Sequence, residues 1–128
     1  MPLNVLRVHE VVNLNRPGIR LAVTYCPLTG SSLVFDRSGV GGTELGVSGV
    51  LHHNNLVMFD RTDDPSFFTQ MWRGAATCGP AAAAGAPLPL SPSVEMRWDA
   101  WRRLHPNTVV VSRDTGHPFG YTTNPNLE

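Results

Sequence analysis

Residues that interrupt regular structure recur along this sequence and limit most strongly how the chain can fold. Gly, Pro, Asn and Asp are so frequent that the apolar runs between them are short, about four to eight residues each. Runs of this length are typical of strands, because helices in globular domains usually need about ten residues or more. The sequence therefore predicts a mainly β protein.

The length of the chain favours one domain. A chain of 128 residues can bury roughly two thirds of the surface that it exposes when unfolded. That burial provides a hydrophobic core without a structural metal or a set of disulfides, and no linker or internal repeat divides the sequence. We expect a single domain over residues 1–128.

Seven of the apolar runs predict strands. They cover residues 3–8, 20–25, 32–36, 43–47, 56–60, 67–72 and 108–112. The Gly-rich stretch 39–42 predicts a hairpin that joins the strands at 32–36 and 43–47, and a polar turn predicts a second hairpin between 56–60 and 67–72. The stretch 75–92 is rich in Gly and Pro, so we expect a surface loop there despite its run of alanines.

One stretch has helical periodicity. Trp98, Trp101 and Leu104 recur every three residues within 97–105, and Pro106 ends the run. This pattern predicts a short helix whose apolar face packs against the sheet, so that Trp98 and Trp101 are largely buried. The predicted fold is a small antiparallel barrel-like or sandwich domain with this one helix near the C-terminus. The alternative is an α+β domain with a longer C-terminal helix.

The balance of charge and hydropathy excludes several classes of function. Ten acidic residues balance ten basic ones, so we expect no nucleic-acid binding, which needs clustered Lys and Arg. All ten basic residues are Arg, which excludes Schiff-base chemistry on Lys. No apolar run approaches the roughly 20 residues of a transmembrane segment, and residues 1–10 lack the pattern of an export signal. The expected protein is soluble, and is either cytoplasmic or exported with its signal absent from this sequence.

Imidazole, thiolate and thioether side chains are the candidate ligands for a metal. His9, Cys26 and Met58 are of the types that copper, zinc or haem iron select. Their spacing does not form one of the dense motifs typical of zinc sites. The adjacent His52 and His53 point to opposite faces if they lie in a strand, whereas in a loop both can face one metal.

Cys26 is also the candidate nucleophile of an enzyme. It follows the predicted strand 20–25 and begins the turn CPLTG at 26–30, which its Pro and Gly favour. In a cysteine-dependent enzyme, His9 would act as the base, and Glu10 or Asp60 would orient that base. The remaining carboxylates at strand ends are typical of turn-forming residues.

Several blocks in a fixed order resemble a known family. They are HEVVN at 9–13, VTYCPLTG at 23–30, LVFDR at 33–37, GVSG at 46–49, NLVMFDR at 55–61, Gly79-Pro80, Trp98 to Trp101, LHPNT at 104–108 and RDTG at 113–116. With these blocks the sequence resembles the prokaryotic domain-of-unknown-function family 3179. The resemblance implies no settled activity, and many members of the family look exported or membrane-anchored.

The chain departs from the family pattern at several positions. Thr29 stands where many relatives have a second cysteine, so a dithiol redox pair at this turn is excluded. His52, His53 and Cys78 also stand where the resemblance implies other residue types. Because Cys78 lies in a Pro- and Gly-rich stretch outside the family pattern, we expect no disulfide between it and Cys26.

Three functions are compatible with these patterns. The leading expectation is a non-enzymatic accessory or interaction domain, a subunit that docks on other protein subunits of a larger assembly. The first alternative is a metal- or haem-linked redox protein that uses Cys26 and His9, and the second is a cysteine-dependent enzyme. In each alternative we expect the chemistry to centre on His9 and Cys26, with Met58 or Asp60 as the next candidates.

Overall fold

The computed structural model describes residues 1–121 and consists mainly of two four-stranded antiparallel sheets. The first sheet contains β1 (Val11–Arg16), β2 (Ile19–Cys26), β3 (Ser31–Asp36) and β8 (Leu90–Ser91), in the order β1-β2-β3-β8. The second contains β4 (Leu45–His52), β5 (Asn55–Asp60), β6 (Phe67–Thr69) and β7 (Ala76–Cys78), in the order β4-β5-β6-β7. The prediction of a mainly β fold is confirmed, and the sheets form a sandwich that is not closed into a barrel.

The hydrophobic core lies between the two sheets. Its buried members are Ala22, Cys26 and Phe35 from the first sheet, Leu45, Leu56, Met58 and Phe68 from the second, and Leu88 from the segment before β8. Buried residues recur at every second position of β2, at Ala22, Thr24 and Cys26, as expected for the core-facing side of a strand. In β5, by contrast, five of the six residues are buried. The amide of Asn13 joins the sheets by donating to the carbonyl oxygen of Leu45 (2.9 Å) and accepting from its backbone N–H (3.0 Å).

The predicted hairpin across the Gly-rich stretch is wrong. The strands on either side of it, β3 and β4, belong to different sheets. Between them, Arg37–Val40 form a 3-10 helix that begins where the Asp36 carboxylate accepts from the backbone N–H of Ser38, and Gly41 follows it with φ 64°. This connection carries the chain from one sheet to the other. It also buries the whole side chain of Arg37. The second predicted hairpin is confirmed by the pairing of β5 with β6.

The N-terminal segment is a helix, and its prediction as a strand is wrong. Helix α1 spans Leu3–His9 and buries the adjacent residues Val5 and Leu6. Neighbouring side chains of a strand point to opposite faces, whereas a helix packed on β2 can bury both. The short apolar run was compatible with either structure, and its packing against the sheet decided between them.

Two predictions about the C-terminal part are also wrong. Helix α3 spans Trp98–Leu104 as predicted, but none of its residues is buried. Trp98 is 48% exposed and Trp101 is half-buried. The apolar face of the helix therefore does not pack into the core between the sheets. The stretch 108–112 is not a strand, since its β-branched residues have no neighbouring strand to pair with. Irregular structure was predicted for 113–128, of which 122–128 lie outside the described residues.

The predicted surface loop at 75–92 contains more structure than expected. It includes β7, a single helical turn at Pro80–Ala83 that we label α2, and β8, which pairs with β3 and completes the first sheet. Leu88, just before β8, is buried in the core. Within residues 1–121, no helix has the length and apolarity that crossing a bilayer requires.

Candidate functional site

Cys26 is the last residue of β2 and begins a tight turn at one end of the sandwich. The backbone N–H of Gly30 donates to the carbonyl oxygen of Cys26 (2.9 Å), and Gly30 adopts φ 63°, which favours glycine. The Cys26 side chain points into the core and is only 1% exposed, while residues 27–30 of the turn are exposed. The thiol therefore lies directly beneath a surface turn.

The surroundings of this turn favour the thiolate form of Cys26. Burial raises the pKa of the thiol, but the nearby hydrogen-bonding groups of Thr29, Leu56 and Leu28 lower it, so that the pKa of Cys26 is lowered overall. Converging N–H groups of a turn bind anions in this way. The thiolate is the form that attacks electrophiles and binds soft metals, so Cys26 has the chemistry that both alternatives require.

A chain of polar side chains extends from this turn into the space between the sheets. Asn55 Nδ2 donates to the hydroxyls of Thr29 (2.7 Å) and Ser31 (3.0 Å), and Ser31 donates to Gln70 Oε1 (3.0 Å). Gln70 Nε2 in turn donates to Thr24 Oγ1 (2.9 Å). The hydrogen bonds link the end of β2 to the starts of β3 and β5 and to the residue after β6.

One atom of this polar chain has no partner. Asn55 is fully buried, and its Oδ1 accepts no hydrogen bond from the described residues. A buried amide oxygen without a donor costs about 1–3 kcal/mol. Sequence analysis did not single out Asn55, although a polar residue at the head of the apolar run LVMF was a visible signal.

The structure places Met58 in the same core cluster as Cys26 and places His9 in a different cluster. Met58 is fully buried and belongs to the same core cluster as Cys26. The His9 ring, at the end of α1, contacts the C-terminal segment instead. Its Nε2 lies 2.6 Å from the hydroxyl oxygen of Tyr121, and the rings of His117 and Phe119 lie 5.2 and 5.6 Å from it, measured between centroids.

The two clusters are joined through the backbone. Glu10 accepts at its carbonyl oxygen from the backbone N–H of Tyr25 (2.7 Å), the residue before Cys26.

Burial lowers the pKa of His9, with a smaller effect of the nearby His117, and burial raises the pKa of the Glu10 carboxyl. Burial and the nearby His117 therefore favour the neutral imidazole of His9, which also pairs with the hydroxyl of Tyr121.

Asp60 has a structural environment. Its Oδ1 accepts from the backbone N–H of Ser66 (3.0 Å) and from the hydroxyl of Thr62 (3.0 Å), which closes the loop between β5 and β6. These are the hydrogen bonds of a turn-forming aspartate. A role of Asp60 in orienting His9 stays a prediction.

His52 and His53 form a third cluster. Of the two arrangements that the sequence allowed, in a strand or in a loop, His53 lies in a loop, directly after the strand that ends at His52. The strand ends at His52, and His53 and Asn54 turn the chain with φ 49° and 60°. The two imidazole centroids are 4.4 Å apart, and both rings lie beside the indole of Trp72, at 6.3 and 5.8 Å. Trp72 was missed because no local pattern connects it to this turn.

Both cysteines are free thiols, with Cys26 buried and Cys78 exposed. Across residues 1–121, no three side chains of His, Cys, Asp or Glu are grouped closely enough to hold a metal ion. The predicted set of His9, Cys26 and Met58 also uses the thioether of a methionine, and metal binding by this set stays a prediction.

Comparison with known proteins identifies the family. None of the curated proteins and none of the solved structures matches this chain. One family model does match, that of the protein of unknown function DUF3179, and the match extends over residues 1–128. The chain therefore belongs to the family DUF3179.

Proposed function

We propose that the protein is a non-enzymatic accessory domain that docks on another protein subunit through the apolar face of α3. The observation that carries this proposal is that none of the residues of α3 is buried, although three of its seven residues are Trp or Leu. Trp98 is 48% exposed and Leu104 is 67% exposed. An amphipathic helix with an uncovered apolar face is the form in which many proteins bind a groove of a partner.

The segments on either side of α3 also expose apolar side chains. Val94 and Met96 before the helix, and Val109 and Val110 after it, are exposed. Scattered apolar residues are normal on a protein surface, so the proposal depends on the helix itself. The neighbouring residues are compatible with an interface that is longer than the helix alone.

The charges of α3 indicate what kind of partner fits. Arg97 precedes the helix and Arg103 lies in its last turn, and both lie near Asp99, at 3.1 and 3.7 Å. The guanidinium of Arg102 lies over the ring of Trp98 at 5.9 Å. The three guanidinium groups and the one carboxylate of residues 97–104 give this part of the chain a net positive charge. The expected partner is a protein subunit with an apolar groove that is bordered by acidic side chains.

Site-specific photo-crosslinking in cells that produce the protein tests this proposal. We expect a photoreactive residue at Leu104 to yield one discrete crosslinked species, and Trp98→Glu to reduce its yield at least tenfold. A photoreactive residue at Ile19, which is also exposed and apolar but lies in the first sheet, is the matched control. Equal patterns from both positions, or a Leu104 crosslink that Trp98→Glu leaves unchanged, would contradict docking through α3.

A second candidate function is a metal-linked redox role at Cys26. The hydrogen bonds that favour its thiolate, and the presence of Met58 in the same core cluster, support it. The test is a titration with Cu⁺ and Zn²⁺ of the wild type, Cys26→Ser, Met58→Leu and His9→Ala. We expect Cys26→Ser to weaken binding at least tenfold, and equal affinity in all four proteins rules this function out.

The third candidate, a cysteine-dependent enzyme, rests on the same thiolate. It predicts that one equivalent of an alkylating reagent on Cys26 abolishes activity toward an acyl or peroxide substrate. The exposed thiol of Cys78 is the internal comparison, because its alkylation should leave such an activity unchanged.

A further inference from the structure

The turn between β4 and β5 brings together two imidazoles that an extended strand would separate. Consecutive side chains of a strand point to opposite faces. Here His52 ends the strand, and positive φ values at His53 and Asn54 reverse the chain within two residues. The two rings consequently lie on the same side of the turn, with their centroids 4.4 Å apart and their planes nearly perpendicular, at 89°.

The residues of this turn are compatible with its backbone. Two-residue turns with two positive φ values usually contain Asn or Gly, and Asn54 fits that preference. His53 adopts φ 49° with an exposed side chain, and histidine enters this region more often than most L-residues do. The turn therefore presents both imidazoles at the surface without a buried contact to hold them.

The separation of the two ring centroids is compatible with two neighbouring ligands of one metal ion. A metal–nitrogen bond is about 2.0 Å and an imidazole centroid lies about 1.1 Å behind its nitrogen, so two ligands at about 90° have centroids roughly 4.4 Å apart. This is the distance between His52 and His53. Ligand angles of about 90° are those of tetragonal Cu²⁺ and Ni²⁺ sites, and Cu²⁺ binds most tightly in the series of divalent first-row metals.

We propose that His52 and His53 together bind a divalent transition-metal ion, most tightly Cu²⁺, at the exposed end of the second sheet beside Trp72. The imidazoles supply two of its ligands and water supplies the others. Trp72 is 58% exposed and covers one side of the pair, with its indole near both rings. Its ring face attracts a cation electrostatically, which adds to the binding.

Two other pairs of rings provide internal controls. His9 and His117 are 5.2 Å apart, but Nε2 of His9 already pairs with the Tyr121 hydroxyl. Trp101 stacks on a single imidazole, His105, at 4.2 Å. If any exposed histidine or any Trp–His contact were sufficient, these pairs would bind the ion equally well.

Fluorescence titration with CuCl₂ tests the site. Trp98→Phe and Trp101→Phe make Trp72 the only indole that emits, and Cys78→Ser removes the exposed thiol, which would itself bind copper. We expect saturable quenching of Trp72 by one ion per chain. His53→Asn, which suits the positive φ of the turn, and His52→Gln should each weaken binding at least tenfold, because one ligand of a chelating pair is lost.

The controls decide whether the quenching reports this pair. His117→Ala and His105→Ala should leave the affinity unchanged. Electron paramagnetic resonance of bound Cu²⁺ should show two imidazole nitrogens in the background protein and one in His53→Asn. Quenching that does not saturate, an affinity unchanged by both His52→Gln and His53→Asn, or a tenfold loss in His117→Ala would overturn the proposal and leave the three rings with a packing role alone.

Discussion

The side chain of Arg37 should be the most sensitive single position in the fold. It is fully buried, and its guanidinium donates from Nε to the carbonyl oxygen of Leu21 (3.2 Å) and from Nη1 to that of Gly42 (2.8 Å). Nη2 donates to the carbonyl oxygen of Leu14 (3.2 Å) and to the side chain of Asn15. One side chain thus binds β1, β2 and the segment that crosses to the second sheet.

The expected cost of Arg37→Met follows from these hydrogen bonds. Bonds from a charged donor contribute about 1.5–3 kcal/mol each, and methionine leaves three backbone carbonyls without their donor. Because part of this loss is recovered by water that reaches the edge of the sheet, we expect the free energy of unfolding to fall by about 5 kcal/mol. That is between a third and all of the stability of a typical domain, which is about 5–15 kcal/mol.

Urea denaturation followed by far-ultraviolet circular dichroism measures this change. Arg37→Lys keeps the charge but cannot reach all the acceptors from one ammonium group, so its loss should be about half as large. Arg16→Met, which removes an exposed arginine of β1, is the matched control and should change stability by less than about 0.5 kcal/mol. If Arg37→Met costs less than about 1 kcal/mol, the buried guanidinium does not hold the crossing and the argument is wrong.

Three further predictions concern the turn, the pH dependence and a close backbone contact. Thr29→Val should raise the pKa of the Cys26 thiol, because the polar hydroxyl that lowers it is lost; an unchanged titration of the Cys26 Cβ resonance would argue against this effect of Thr29. The pKa of His9 is lowered in the folded state, so the unfolded state binds more protons and stability should fall as pH drops below about 6.5. His9→Gln should make chemical denaturation less dependent on pH in this range, and a slope equal to that of the wild type would contradict it. Gly79→Ala should cost more than about 3 kcal/mol, since its Cβ would lie 2.5 Å from a backbone oxygen at φ +85°. Gly18→Ala, at φ +73° with open space around it, should cost only about 1 kcal/mol. Thermal unfolding of both glycine variants measures the difference.

Local patterns in the sequence predicted those elements whose structure depends on neighbouring residues. The alternation in β2, the turn that follows Cys26 and the helix stopped by Pro106 were all found where the sequence placed them. Each depends on short-range properties: side-chain alternation, the positive φ that Gly30 allows, and the missing donor of proline. Such properties act in any tertiary context.

The candidate sites were only partly predictable for the same reason. That Cys26 lies at the end of a strand followed from its neighbours, and the turn that stabilises its thiolate is local. The contact of His9 with Tyr121 joins residues 112 positions apart, and the approach of Trp72 to the His52–His53 turn depends on how β6 pairs with β5. No periodicity within one segment carries that information.

By itself, the sequence determined that the chain forms short strands with one buried face, because its interruptions leave no room for long helices and its apolar residues alternate. Only the tertiary structure decided which strands pair. The Gly-rich stretch was compatible with a hairpin, but the strands on either side of it pair in different sheets, and the connection between them buries Arg37 against carbonyl oxygens of β1 and β2. Likewise, the apolar face of α3 is equally good for packing inward or for binding a partner. The space between the two sheets is already filled by their own side chains, so that face stays on the surface.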